Sequence, residues 1–213
     1  MGTIGPKSEY YRKAAASVIK ALKARGFEGY YAADRDEARE LALSLIPEGS
    51  SVGWGGSMTL NETGVIDALK NGNYEVISRE SAATPEERKK VFSRIAVCDC
   101  FLMSTNAITQ DGQLVNVDGT ANRVAFLCFG PASVIVVTGM NKLVTSVAEG
   151  ENRARNVAAP PNAMRLGRNT PCAVTGKCAD CQSEDCICCQ TVITRRSPKG
   201  RIKVILVGEE LGL

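Results

Sequence analysis

Residues Ser133 to Gly139 read SVIVVTG, an apolar, β-branched run without polar alternation. A strand with one wet face alternates apolar and polar side chains, so a run that does not alternate has to be covered on both faces. Such a strand belongs in the interior of a sheet with helices above and below. The chain must therefore supply several helices, and it does.

Tyr11, Ala15, Val18, Ile19 and Leu22 recur at spacings of three and four, which predicts a helix over residues 7–26 that stops at Gly26. FEGYYAA reads as a strand, and Asp34 with Glu37 as a capping box opening the helix RDEARELALSLI. SSVGW is the next strand, with a single helix expected from about Thr59 to Asn71, and YEVIS the next. Thr84 as cap and Pro85 at the first helical position open a helix over TPEERKKVFSRIAVC, which leads to the strand DCFLMST. Asp111-Gly112 between two apolar stretches marks a β-hairpin. TANRVAFLCFG reads as a short helix ended by Gly130, and SVAEGENRARNVAA as a helix that stops before Pro160-Pro161. Residues 160–190 are expected to form a cysteine-rich loop region, and residues 200–213 a return strand. Strands alternating with helices over 1–213 imply one α/β domain with a mainly parallel central sheet.

Hydrophobic residues form 44% of the 213, enough for a sizeable core, but aromatics are only 5%, so Val, Ile, Leu and Ala must build it. The net charge of +3 is spread without a block of like charge, which argues against a nucleic-acid partner. No apolar run approaches ~18 residues and no signal peptide is apparent, so membrane insertion is not expected and the cytoplasm is the expected compartment. In that compartment the nine cysteines read as thiols or metal ligands. Histidine is absent, which excludes Ser-His-Asp and Cys-His catalysis and His-ligated zinc. Any general acid or base has to be Asp, Glu, Lys, Tyr or Cys.

GWGGS, between a strand and a helix, carries the first candidate site. Gly53, Gly55 and Gly56 let backbone approach a ligand, Ser57 and Thr59 add hydroxyls, and a helix N-terminus favours an anion. The alternative is a tight corner, with Trp54 packing beside it. Glu62 reads either as a capping partner of Thr59 or as a catalytic carboxylate. The second cluster, Asn116, Asp118, Asn122 and Arg123, sits at a hairpin-to-helix junction, and Asn141 and Lys142 follow the buried strand. Arg123 and Lys142 are candidates for holding an anion, and Asp118 or Glu62 for carrying protons. Strand ends of a parallel sheet are where such ligands bind.

The third cluster is PCAVTGKCADCQSEDCICCQT, with spacing C-x5-C-x2-C-x4-C-x-C-C. Cys172, Cys178, Cys181 and Cys188 are the candidate ligands of a [4Fe–4S] cluster or, alternatively, of a thiolate-bound zinc. Free or redox-active thiols are the other reading. Cys98, Cys100 and Cys128 read as small buried hydrophobes.

GWGGSMTLNETGVIDAL, STNAITQDGQLVNVDGTANRVA, VIVVTGMNKLV, AAPPNAMRL and PCAVTGKCADC together resemble the lactate-utilisation (LUD) domain family, of the LutC and LutB type, over roughly residues 10–213. The resemblance implies a NagB/RpiA/CoA-transferase-like fold, whose members use glycine-rich strand-to-helix loops for phosphorylated or nucleotide ligands. Asn106, within STNAITQ, joins the ligand-binding candidates. The resemblance also implies a place beside an iron–sulfur system of L-lactate oxidation, hence a redox partner protein. The chain lacks the separate ferredoxin-like part of the LutB type and carries its own cysteine tail. Three readings follow: an accessory or electron-transfer component, an isomerase or transferase acting on a phosphorylated or CoA ligand, and a regulatory or structural module stapled by zinc or disulfides.

Overall fold

The computed structural model describes residues 5–213. Helix α1 (Pro6–Ala24) leads into β1 (Glu28–Ala32), and α2 (Arg35–Ser44) into β2 (Ser51–Trp54). The short helices α3 (Met58–Glu62) and α4 (Val65–Asn71) precede β3 (Glu75–Ile77), and α5 (Pro85–Ile95) precedes β4 (Cys100–Met103). A hairpin of β5 (Ala107–Thr109) and β6 (Leu114–Asp118) is followed by α6 (Asn122–Cys128) and β7 (Ser133–Gly139). Then come β8 (Leu143–Val144), α7 (Val147–Arg153), α8 (Ala159–Arg165), α9 (Pro171–Thr175), β9 (Gln190–Thr194) and β10 (Ile202–Val207).

Six strands form a wholly parallel sheet in the order β1-β10-β7-β4-β2-β3. The unalternating run is β7, an interior strand between β10 and β4. Its period of two divides the core. Val134 and Val136 join Leu22, Ile95, Phe101, Leu127 and Val204 on one face. Ile135 and Val137 join Ala38, Ala42, Leu60, Leu69 and Ile205 on the other. Both faces are covered by helices, as the run requires. A second sheet of four short strands, β8-β5-β6-β9, stands beside the first and carries a mixed pairing.

Thr84 caps α5 as expected: its side chain accepts from Glu87 N–H, and the Glu87 carboxylate accepts from Thr84 N–H. Thr84→Ala should lower stability by about 1 kcal/mol in urea unfolding, the usual value of a helix cap. At α2 the arrangement differs. Asp34 accepts from Glu37 N–H, but the Glu37 carboxylate reaches back one residue further, to Ala33 N–H.

Four expectations need correction. The single helix from Thr59 to Asn71 is two helices, because Gly64 takes a left-handed φ of +69° that ends one and starts the other. The cap of the first is Ser57, whose side chain accepts from Leu60 N–H. The helix that begins at Val147 does not stop before Pro160-Pro161. It passes through a π-helical turn, Ala154–Ala158, and continues as α8 with proline in its first positions. Proline is harmless there because first-turn N–H groups need no partner from the helix, and the widened turn re-registers the ladder. Cys128 is exposed, whereas Cys98 and Cys100 are buried as expected. Residues 160–190 are not only loop, since they contain α8 and α9, and β9 starts at Gln190 and pairs with β6.

Candidate functional site

The site is organised by one guanidinium. Arg123, in the first turn of α6, is held across the hairpin-to-helix junction. Its Nε donates to Asp118 Oδ2 at 3.2 Å. Nη1 donates to the Ser104 carbonyl at 2.9 Å and Asn116 Oδ1 at 2.6 Å, and Nη2 to Asn106 Oδ1 and the Val117 carbonyl, both at 3.0 Å. A guanidinium has five N–H donors, and all five are spent inside the protein. Burial draws its pKa down from the ordinary arginine value, and the Asp118 carboxylate opposes that pull. Arg123 therefore reads as a positioning residue. It pins β6, the Ser104–Asn106 segment and α6 to one another, and its charge faces the site without a free donor.

Lys142 follows β7 in a 3₁₀ turn. It is buried, at 4% exposure, and its Nζ donates to Thr59 Oγ1 at 3.1 Å and Ser104 Oγ at 3.2 Å. Burial first, then the charges of Arg153 and Arg123, lower its pKa to about 7, against a smaller opposing pull from Glu62. Thr59 lies in α3, which follows β2, and Ser104 directly follows β4, so the segments after three neighbouring strands of the parallel sheet converge on this amine.

These groups line a cavity of about 330 Å³ between the sheet's carboxyl edge and the π-helical turn with α8. Of the residues singled out in the sequence, Gly56, Ser57, Thr59, Asn106, Asp118, Asn122, Arg123 and Lys142 lie on its wall. Gly53, Gly55, Glu62 and Asn141 do not. A β-carbon at Gly53 would sit 2.9 Å from Ile95 Cγ1, and one at Gly55 would press on the Arg123 stem at 3.3 Å, so both glycines serve close packing. Gly55 N–H is in any case committed to the Leu102 carbonyl. Glu62 Oε2 accepts from Gly212 N–H at 2.7 Å, neither capping Thr59 nor reaching the cavity. Asn141 clasps Leu211 through both its amide atoms. Glu62 and Asn141 thus hold the segment after β10 against Lys142.

Arg79, Ser104, Thr120, Asn162, Arg165 and Arg168 also line the cavity and were not foreseen. Arg79 follows β3 and the other two arginines come from α8 and its end. Ser104 and Thr120 lie within STNAITQDGQLVNVDGTANRVA and Asn162 and Arg165 within AAPPNAMRL, whereas Arg79 and Arg168 lie outside the family-like motifs, and only folding brings the three arginines to one wall. Five cationic side chains, Arg79, Arg123, Lys142, Arg165 and Arg168, meet one carboxylate side chain, Asp118, among the described residues of the lining. A β-carbon on Gly56 would collide with the Arg79 guanidinium. Gly56→Ala should push that guanidinium off the wall and leave stability within about 0.5 kcal/mol, since the obstacle is the free end of a flexible side chain.

The cysteine segment forms a second, smaller cavity of about 40 Å³, lined by Cys172, Cys178, Cys181, Cys186 and Cys188. Burial, with neighbouring Cys186, Cys178 and Cys172, pushes the Cys188 thiol up to about 12, and burial also raises Cys186. Arg155 donates to Cys178 Sγ at 3.5 Å. The soft donors suit iron–sulfur or zinc. As placed, no group of three Cys, Asp or Glu side chains among the described residues is close enough together to hold one metal ion. The segment still reaches the main site. Cys188 and Ile187 line the larger cavity too, and Cys189 N–H donates to the Asp118 carbonyl at 2.9 Å.

Among the described residues no helix is long and apolar enough to cross a membrane. No curated protein matches the chain. Among solved structures, a DUF162 family protein from Deinococcus radiodurans is similar with a TM-score of 0.53 and 13% identity, over 92% of this chain and 98% of that one. At that identity the likeness shows the fold. Ribose 5-phosphate isomerase from Plasmodium falciparum aligns over 52% of each chain, with 16% identity and a TM-score of 0.35. The β subunit of eIF2B from Chaetomium thermophilum aligns over 54% of this chain and 44% of its own, with 16% identity and a TM-score of 0.38. The LUD domain profile matches residues 15–207, which span every strand of the parallel sheet and every residue of the cavity's lining except Leu213. The chain belongs to the LUD domain family, the lactate-utilisation-related group that its motifs resemble.

Proposed function

We propose that this LUD domain binds a small phosphorylated metabolite in the larger cavity and acts on it as an isomerase- or transferase-type enzyme. The observation that carries the reading is the charge of the wall, four arginines and Lys142 against one carboxylate side chain in about 330 Å³. That volume suits a phosphorylated small molecule, lying at the lower end of the usual range for ligand cavities. Because Arg123 has no donor to spare, the direct anion contacts fall to Arg79, Arg165 and Arg168 together with Ser57 and Thr120. Asp118 has one oxygen on Arg123, and its Oδ1 is the proposed proton carrier.

Thermal unfolding with a panel of sugar phosphates, CoA esters, nucleotides and L-lactate tests this. A rise in Tm with a phosphate ester, reduced in Arg79→Ala and Gly56→Ala, is expected. No response to any phosphorylated compound would overturn it. Loss of Arg79 should weaken binding by about ten- to a hundredfold, roughly the 1.5–3 kcal/mol of a charged hydrogen bond, with little change in stability.

The five thiols around one small cavity favour a second reading, an electron-transfer component. In it Cys172, Cys178, Cys181 and Cys188 converge to take up a [4Fe–4S] cluster or zinc, and a redox partner protein docks nearby. Anaerobic purification followed by metal and labile-sulfide analysis decides it. Stoichiometric iron and sulfide support the electron-transfer role, stoichiometric zinc a structural one, and a metal-free chain sinks both.

A further inference from the structure

Lys142 is the one lysine on the cavity wall among the described residues. An uncharged primary amine has two N–H bonds and one lone pair. Here two hydroxyl partners, Thr59 Oγ1 and Ser104 Oγ, are placed to take the N–H bonds. The lone pair is left for the cavity that Lys142 lines. Among the described residues no carboxylate forms an ion pair with Nζ, whereas Lys7, Lys13 and Lys70 on the surface each hold a glutamate. The charged groups facing Lys142 are Arg153 behind it, Arg123 beside it and Glu62 on α3, the last already committed to Gly212 N–H. Burial disfavours a protonated amine, and two cations against one carboxylate that already accepts from Gly212 N–H disfavour it further.

We infer that Lys142 is the reactive amine of this cavity and condenses with the carbonyl carbon of a phosphorylated aldehyde or ketone. The inference rests on the anionic-ligand reading above, and changes the part of Lys142 in it from holding charge to forming a bond. In the step, the Nζ lone pair attacks the carbonyl carbon and the carbonyl π pair moves to oxygen. A proton passes from nitrogen to that oxygen, giving a carbinolamine. Its C–O bond then breaks as the C=N bond forms. The carbonyl oxygen and the amine's two hydrogens leave as one water, and no oxidant or reductant enters. The hydroxyls of Thr59 and Ser104 orient the amine, and the arginines of the wall hold the phosphate end of the substrate. A buried lysine with lowered proton affinity is the form in which amines act as nucleophiles at neutral pH.

Pyridoxal 5′-phosphate, which carries both an aldehyde and a phosphate, is the probe. The intact chain is incubated with it, reduced with borohydride and digested, and the labelled lysines are mapped by mass spectrometry. Glycerol 3-phosphate, with the phosphate but no carbonyl, serves as competitor, and its own binding is followed by calorimetry. Lys142 should be labelled at least about tenfold faster than the exposed lysines, because its burial between two hydroxyls and two cations disfavours its protonated form, and glycerol 3-phosphate should slow that labelling. Ser104→Ala, which removes one orienting hydroxyl, should slow the labelling of Lys142 and leave the exposed lysines unchanged. If glycerol 3-phosphate binds while Lys142 labels no faster than the surface, the amine inference falls and the anionic-ligand reading stands. If Lys142 labels fast without protection by a glycerol 3-phosphate that does not bind, the reactive amine stands and the phosphate class falls. If neither occurs, both fall.

Discussion

Arg123→Ala should destabilise the protein by about 3–5 kcal/mol, the penalty for breaking a buried ion pair from one side. The size follows from what the side chain leaves behind. Asp118 loses its countercharge, with only 11% of its side chain exposed. Asn106, Asn116 and two backbone carbonyls lose a donor in the same step. Arg123→Lys should recover little, because an ammonium cannot reach five acceptors arranged around a planar fork. Urea unfolding measures the loss directly. A cost below about 1 kcal/mol would mean that the network is loose and that Arg123 has donors to give to a ligand.

Lys142→Met should have the opposite sign. At neutral pH the variant is expected to be more stable than the native chain, and the gap should close as the pH rises. The reason is proton linkage. The native amine has a pKa near 7, whereas the unfolded chain's amine has the ordinary lysine value of 10.5. Between those values the unfolded state holds the extra proton, so native stability climbs with pH, and above 10.5 both states are neutral. The climb is about 1.4 kcal/mol per pH unit, so the gap should narrow by about 2.5 kcal/mol between about pH 7 and about pH 9. Taking the difference between the two proteins cancels every other titrating group. A gap that does not change with pH would show that Lys142 keeps its proton in the folded protein.

The two substitutions also show where reading the sequence succeeds and where it stops. β7 was legible because its unalternating β-branched run permits one environment, and α5 because its cap, its first-turn proline and its capping glutamate are all local. The break at Gly64 was not legible, since a glycine inside a helical pattern becomes a boundary only when its φ turns positive. The passage of the chain through Pro160-Pro161 was hidden for a similar reason, because a π-helical turn has no composition of its own. In the site, Arg123, Asp118 and Lys142 stood out because they cluster beside recognisable strand ends. Arg79 and Arg168 did not, and Arg165 entered only as part of AAPPNAMRL, because none of the three sits beside a recognised site until the parallel sheet and α8 bring them to one wall. The glycines were the hardest to judge. Gly53, Gly55 and Gly56 look alike in GWGGS, yet two accommodate Ile95 and Arg123 and one faces the cavity.

The strand order has a further consequence, for the timing of assembly. β1 has β10 as its one partner in the sheet, so Glu28–Ala32 waits for residues 202–207 to be synthesised. Until then one whole edge of β7 lies open, with four consecutive apolar residues at its centre. A nascent chain of this topology can close its β7-β4-β2-β3 half early but cannot complete its sheet early, and pairings this distant in sequence form slowly. The interval is when the chain is most exposed to wrong edge-to-edge pairing, so chaperone demand and truncation damage should concentrate on products that end short of Ile202.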